Sequence, residues 1–320
     1  MLMAQSSSPP SGVSEFAACP NGCDPGDDLV CESGDVIHGV PGRFTVVRCR
    51  GCGLVRTSPR PSPEGIGAYY PVAYEPYRPD AMTPRASSPA GTLGRLKGRL
   101  ADRANGTLIP DLTPGVVLEI GCASGGFLDR MRGAGWRTYG AELSPDAAAR
   151  ARARGHGVHT GRVEDMPPVP EPVDLVVGWM VLEHLHEPVA ALRRLHGMSS
   201  PGAYCAFSIP DFGAVGRRVL GEDWTLLDVP RHLHHFDPQT LTDMLAATGW
   251  QTTRLLRPAT STFVMESLGF RARRRGWTHA SAWLLDVAAN RRQRLLRRLL
   301  GFALAGVGQS GAMVVHARRL

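Results

Sequence analysis

The sequence predicts an α/β protein: a doubly wound, mostly parallel sheet over residues 111–320, preceded by a small metal-binding module. Three observations carry this. Strand-like and helix-like patterns alternate through the last two thirds of the chain. An apolar run, Val116–Ile120, ends in a glycine-rich turn and a helix start, which is how such sheets present backbone N–H groups to a nucleotide-like ligand. Two close cysteine pairs, Cys19/Cys23 and Cys49/Cys52, lie near the amino terminus.

At 320 residues the chain has room for one large domain and a small one. Apolar residues make up 43% and charged residues 20%, an ordinary globular balance. The formal charge is 36 − 29 = +7, but Lys97 is the only lysine. An arginine bias this extreme reads as genomic base composition, so the basicity makes no case for nucleic acid. Residues 1–18 are Ser/Pro-rich without a basic start or an apolar stretch, and read as a disordered tail rather than a secretory signal. No apolar run reaches the ~18–20 residues that span a bilayer. The expected location is cytoplasmic, where reduced cysteines favour metal ligation over disulfides.

Residues 19–60 hold five of the seven cysteines and form the expected zinc module. Each pair offers two thiolates from one tight turn, and Gly53 permits the backbone twist of a knuckle. Cys19, Cys23, Cys49 and Cys52 together suit a tetrahedral structural Zn²⁺; Cys31 and His38 stand as substitute ligands. A structural zinc contributes ~10–16 kcal/mol to a segment with little apolar core of its own. Unligated small cysteines or a redox pair are the alternatives. Residues 61–110 read as a linker and helical cover, with a short helix near Thr92–Ala104.

Strands are expected near 116–120, 136–141, 157–160, 173–178, 203–209, 250–257 and 311–318. Helices are expected near 124–133, 144–154, 187–197, 238–248 and 282–302. Ser144-Pro145 and Asp237-Pro238 each supply an N-cap and a proline at the first helical position. Glu142, about twenty residues after the glycine turn, is spaced for a ribose diol; alone it would equally suit a solvated strand end.

Taken in order, Val116-Val-Leu-Glu-Ile-Gly-Cys-Ala-Ser-Gly-Gly-Phe-Leu128, Tyr139-Gly-Ala-Glu-Leu-Ser-Pro145, Arg162-Val-Glu-Asp-Met-Pro167 and Val173-Asp-Leu-Val-Val-Gly-Trp-Met-Val-Leu-Glu-His-Leu185 resemble the class I S-adenosylmethionine-dependent methyltransferases. The resemblance covers residues 111–320. It implies a Rossmann-like sheet of seven strands whose last strand inserts antiparallel beside the sixth. It implies that Glu119, Gly121 and the turn through Gly125 hold the methionine end of S-adenosyl-L-methionine. Glu142 would take the ribose and Asp165 the adenine amino group, with Val163 or Met166 on the ring. Trp179 would lie where the sulfonium methyl is presented. Ala123 stands where the family usually shows a second glycine, which is tolerable if its φ stays negative.

The methyl acceptor is expected to be a small molecule, methylated on O or C: a sugar, polyketide or quinone-like metabolite. His184, His232 and His235 are the candidate bases or pocket residues. His232 and His235 are three apart and could share a helical face. In the similar ubiquinone-pathway O-methyltransferases, an acid and a histidine at the positions of Glu183 and His184 help hold a divalent metal; a further acid of that set is Met180 here. The segment after the fourth strand, Gly178-Trp-Met-Val181, lacks the Asn/Asp-Pro-Pro-aromatic clamp of base-amine methylation. Two rivals remain. One is an RNA methyltransferase whose zinc module docks RNA, although Lys-rich RNA-reading surfaces are not evident. The other is a peripheral membrane contact through residues 282–308, whose basic amphipathic run could lie on an anionic bilayer or simply cover the sheet edge. Oligomeric state is not legible.

Overall fold

A computed structural model describes residues 14–70 and 92–320. The first elements are β1 (Ser14–Glu15), β2 (Asp27–Ser33), β3 (Phe44–Cys49), β4 (Val55–Thr57) and β5 (Arg60–Pro61), followed by α1 (Thr92–Asn105). The larger domain runs β6 (Val116–Ile120), α2 (Gly126–Gly133), β7 (Arg137–Glu142), α3 (Pro145–Ala153), β8 (Gly157–Thr160), β9 (Val173–Trp179), α4 (Pro188–Met198) and β10 (Ser199–Pro210). It continues through α5 (Val215–Leu220), β11 (His234–His235), α6 (Pro238–Ala247), β12 (Trp250–Leu256), α7 (Thr262–Arg274), α8 (Thr278–Ala289), α9 (Arg294–Gly306) and β13 (Ala312–Arg319).

Among the described residues, seven strands form one sheet in the order β12-β13-β10-β9-β6-β7-β8. β13 runs antiparallel between β10 and β12, and the other pairings are parallel. This is the doubly wound α/β sheet expected, with the late strand inserted beside the sixth. Strand alternation divides the core. Leu118 and Ile120 face α4 and α6 through Leu192, Leu195, Leu241 and Leu245. Val117, Leu175 and Val177 face α2 and α3 through Phe127, Leu128, Met131 and Ala151. The chain order reverses at β6, whose neighbours are β7 and β9, so the crevice for a ligand opens at the carboxyl ends of those strands.

The helix starts follow local chemistry. Ser144 Oγ accepts from the Ala147 N–H at 3.3 Å, and Asp237 Oδ1 accepts from the Thr240 N–H at 2.8 Å in a full capping box. The single helix expected over 282–302 is two. α8 ends at Ala289, where Asn290 turns extended and its Oδ1 accepts from the Arg292 N–H at 2.9 Å. The Arg297 guanidinium then caps the last carbonyls of α8, donating to Val287 O at 3.2 Å and Asn290 O at 3.1 Å. α7 was not anticipated; its face mixes glycine, serine and arginine with the apolar positions.

The cysteine segment forms a four-stranded antiparallel sheet, β11-β4-β3-β2. Its last strand comes from the larger domain: His234 pairs with Arg56 and His235 with Val55. The module core is shared in the same way, with Phe44, Val46 and Val55 packed on Trp224, Leu226 and Val229. Part of the expected tail is folded onto this module. β1 pairs with β5, Glu15 bonds the Arg60 guanidinium at 2.8 Å, and Ala17 O accepts from Arg56 Nε at 3.0 Å. Buried arginines recruit these residues because their donors need acceptors. Residues 1–13 of the tail, and 71–91 of the linker, lie outside the described residues.

Candidate functional site

A cavity of about 740 Å³ opens at the carboxyl ends of β6, β7 and β9. Its floor is Gly121, Ala123, Glu142 and Trp179. One wall is module and cover, from Ile37, His38, Ile66 and Tyr70; another is Asp228, His184 and His232; the roof is Phe263, Phe270 and Leu285. The non-glycine residues with positive φ among those described are Ala123 (46°), Met180 (55°) and Asp228 (37°), and all three line this cavity. Each such conformation costs ~1–3 kcal/mol, and their concentration in one place marks a site that over-determines its backbone.

Ala123 does not meet the condition of negative φ under which alanine fits without strain: its φ is 46°. The turn bends into the left-handed region so that the Ala123 N–H meets Glu142 Oε2 at 2.9 Å. Glu142 Oε1 accepts from the Ser144 N–H at 2.8 Å. Burial pushes the Glu142 carboxyl upward, against the backbone N–H groups of Ser144, Ala123 and Leu143. A carboxylate has about four lone-pair sites, so acceptor capacity remains for a donor from the cavity. At Gly121, φ is +65° and an added Cβ would lie 2.5 Å from Val181 Cγ2, so only glycine lets the turn pack against Val181 at the cavity floor. Trp179 closes β9 with its ring 5.1 Å from Phe127 and its indole N–H buried without a partner. Glu119 is buried behind the turn, with Oε2 unpartnered and its carboxyl raised by burial.

Of the sequence-predicted residues, Gly121, Glu142, Trp179, His184 and His232 meet at the cavity. Glu119 and Gly125 sit behind that wall, Gly125 as the residue preceding α2. Asp165 is placed off the cavity with its side chain 74% exposed beside Arg162; Arg162, Val163 and Glu164 are the residues of that turn on the wall. Met166 is buried, and its carbonyl accepts from Arg194 Nε at 2.8 Å.

His235 does not join His232. The segment is extended rather than helical, and pairing with β4 turns His235 into the module, where Nε2 lies 3.2 Å from Thr57 Oγ1. His232 and His184 do meet, their rings edge-to-face at 4.6 Å. His184 Nδ1 donates to Arg231 O at 2.9 Å and His232 Nδ1 donates to Leu226 O at 2.9 Å. These carbonyls set the tautomers, leaving both Nε2 atoms as acceptors. Tyr70 Oη lies 3.1 Å from His184 Nδ1.

His232 Nε2 is 3.7 Å from Asp228 Oδ2 and 4.0 Å from Glu183 Oε1. Both imidazoles are pushed down to about 3 by burial. The Glu183 carboxyl, wholly buried with neither oxygen bonded, is pushed up to about 8 by the same cause. Near neutral pH the group is thus two neutral imidazoles beside a protonated acid. Ligand atoms of Glu183, His184 and His232 lie within 4.8 Å of one another, so this cluster could also accept a cation.

The four cysteine sulfurs at the other end of the module lie within 4.8 Å of one another, with Cys19 and Cys52 Sγ 3.5 Å apart. Zn–S bonds of ~2.3 Å in a tetrahedron set sulfurs ~3.7 Å apart, whereas a disulfide needs ~2.05 Å, so the set fits zinc. Burial pushes Cys19 up to about 12. Against burial, the Leu54 N–H and Asn21 bring Cys52 below its ordinary value. Gly53 takes φ +75° in the knuckle. Cys31 and His38 are not substitutes: Arg217 Nη2 lies 3.6 Å from Cys31 Sγ, and His38 faces the cavity.

Sequence reading missed Asp35, Tyr70, Asp228 and Arg231. Asp228 and Arg231 flank the flagged histidines; nothing local marks Asp35.

A family profile described as a methyltransferase domain matches residues 93–255, half of the chain. The chain belongs to that methyltransferase-domain family. Its methyltransferase domain has the class I S-adenosylmethionine-dependent form that the motifs anticipated. The chain is 29% identical over 126 residues to a malonyl-[acyl-carrier protein] O-methyltransferase of Serratia marcescens, covering 39% of this chain and 49% of that protein. It is 27% identical over 146 residues to a ubiquinone biosynthesis O-methyltransferase of Bordetella bronchiseptica, covering 42% and 60%. The chain thus spans about half the length of the curated relatives it matches. The methyltransferase domain is also similar to the crystal structure of an S-adenosylmethionine-dependent methyltransferase from Mesorhizobium loti, at 20% identity and TM-score 0.47, covering 70% of this chain and 100% of that one.

Proposed function

We propose that the protein transfers a methyl group from S-adenosyl-L-methionine to a small-molecule hydroxyl held against His184 and His232. The observation that carries this reading is one continuous cavity joining the Gly121–Glu142–Trp179 floor to the two histidines. Its volume lies in the ~300–1,000 Å³ range of small-molecule sites. The names of the two curated relatives, both O-methyltransferases, support the choice of oxygen.

The residues present fit the cofactor. Glu142 keeps acceptor capacity at the cavity floor for a diol, Gly121 supplies the left-handed turn beside it, and the buried Trp179 N–H and Glu119 Oε2 await partners. Bound there, S-adenosyl-L-methionine supplies a methyl on a positively charged sulfur. The chain's part is to align the acceptor and keep water away. Val163 replaces Asp165 as the adenine-side contact in this reading, with Arg162 and Glu164 beside it.

His232 Nε2 serves as the base that draws the acceptor proton, with Asp228, and Glu183 once it ionises above about pH 8, facing the resulting imidazolium. An imidazole held near 3 is a weak base, so the ionisation of Glu183 sets its strength. His184 places the acceptor through its free Nε2. Zinc at Cys19, Cys23, Cys49 and Cys52 holds the module that supplies the Ile37–His38 wall, and residues 19–60 act as a lid of fixed shape rather than an independent unit.

Calorimetry with S-adenosylhomocysteine tests the reading. Wild type should bind, and Glu142→Ala should bind at least ~30-fold more weakly after losing a charge-assisted contact of ~2 kcal/mol. No binding by wild type would sink it.

A further inference from the structure

The α7–α8–α9 segment has two faces of different chemistry. Inward, Phe263 and Phe270 of α7 and Leu285 of α8 roof the cavity. α9 is seated through its buried Gly301 and Ala305, against the turn at Ala259, and Ser261 Oγ donates to Arg297 O at 3.0 Å. That seating turns the opposite stripe outward. Leu295, Leu299 and Phe302 follow i, i+4, i+7 spacing and are 71%, 62% and 38% exposed. Trp277 and Trp283, before and within α8, are each 58% exposed. Residues 271–298 contain nine arginines and a single acid, Asp286. Arg273, Arg275 and Arg292 are exposed, and the Arg275 guanidinium lies 5.4 Å over the Trp277 ring.

An occupant of this surface must be apolar where it meets the leucine stripe and negative where it meets the arginines. A second copy of the chain fits poorly, because two-fold pairing brings the arginines of one copy against those of the other. An anionic bilayer meets both needs. Its acyl boundary takes the leucines and phenylalanine, its interface takes the tryptophans, and its phosphates take the guanidinium groups. No helix among the described residues is long and apolar enough to cross a membrane, so the contact is peripheral.

We propose that the α8–α9 surface docks on an anionic lipid bilayer, and that the methyl acceptor is an amphiphile drawn from that bilayer into the cavity beneath α7 and α8. The second half rests on the methyl-transfer reading; the docking does not.

The full chain is sedimented with vesicles of phosphatidylcholine and with vesicles containing about one-third phosphatidylglycerol, at about 50 mM salt. Partitioning should be at least ~tenfold stronger on the anionic vesicles, and Leu295→Glu/Leu299→Glu should remove at least ~tenfold of it. The same variant should bind S-adenosylhomocysteine as wild type does. Absence of anionic-vesicle binding, or equal binding by the variant, overturns the docking. So does a wild-type dimer that the variant dissolves in analytical ultracentrifugation, which would give the face to a second copy. Vesicle binding without S-adenosylhomocysteine binding would leave docking intact and remove only the methyl-transfer reading.

Discussion

Arg231 and Asp35, 196 residues apart in sequence, meet in a buried bidentate pair, Nη1 to Oδ2 at 2.9 Å and Nη2 to Oδ1 at 2.8 Å. Arg231 also donates to Tyr69 O at 3.0 Å, and its Nε lies 3.2 Å from Asp228 Oδ1. Asp35 in turn accepts from the Ile37 and His38 N–H groups at 3.2 and 3.0 Å. One ion pair therefore ties the cysteine module's cavity wall to the loop that holds His232.

Arg231→Met strands the buried Asp35 carboxylate, whereas Asp35→Leu leaves Arg231 paired with Asp228 alone. In urea titrations Arg231→Met should lower unfolding free energy by ~3–5 kcal/mol and Asp35→Leu by less, and the double variant Asp35→Leu/Arg231→Met by clearly less than the sum. Additive losses would show that the two residues are not coupled. A milder Arg231→Lys should raise KM for the acceptor more than that for the cofactor, since Lys cannot bond bidentately.

The glycine turn can be tested from both directions. Gly121→Ala should weaken S-adenosylhomocysteine binding, because its Cβ would lie 2.5 Å from Val181 and φ is +65°. Adding Val181→Ala should recover only part, as the backbone strain of ~1–2 kcal/mol stays. Ala123→Gly should raise the melting temperature slightly or leave it unchanged, since glycine occupies φ 46° without a Cβ clash. A loss of several degrees would contradict the left-handed turn.

Stability should have two pH limbs. The Glu183 carboxyl is raised from 4.5 to about 8, so the folded state keeps a proton that the unfolded state releases, and stability falls as pH rises toward 8. His184, His232 and His234 are lowered from 6.5 to about 3, so the unfolded state takes protons that the folded state refuses, and stability falls as pH drops below 6.5. Urea midpoints from pH 5 to 9 should show both limbs, and Glu183→Gln should flatten the alkaline one alone. The methyl-transfer rate should rise through pH 8 in wild type and lose that rise in Glu183→Gln.

Metal removal separates the two ends of the module. Cys49→Ser or prolonged chelation should release about one zinc per chain, measured by a colorimetric chelator, and lower the unfolding midpoint. S-adenosylhomocysteine affinity should change less than about threefold, because Gly121 and Glu142 draw on the large sheet rather than on the module. A variant that keeps its metal would overturn the four-cysteine assignment.

What the sequence determined alone is local. The run of buried residues in β6, the glycine turn after it, the caps at Ser144 and Asp237, and the paired cysteine knuckles are each specified within about fifteen residues by side-chain periodicity, φ preference and donor–acceptor chemistry. The antiparallel place of the last strand came from the resemblance to the methyltransferase family, and the full strand order from the structure. Only the tertiary structure decided which histidines share the cavity. β11 sends His235 to the module because strand pairing alternates side chains, while His232 stays behind on a turn pinned by the left-handed Asp228. It alone decided that Asp165 points outward, that Ala123 bends to meet Glu142, and that Asp35 finds Arg231. These outcomes depend on burying charges and backbone N–H groups against partners far along the chain. A buried donor takes whichever acceptor packing brings to it, and no sequence period records that distance.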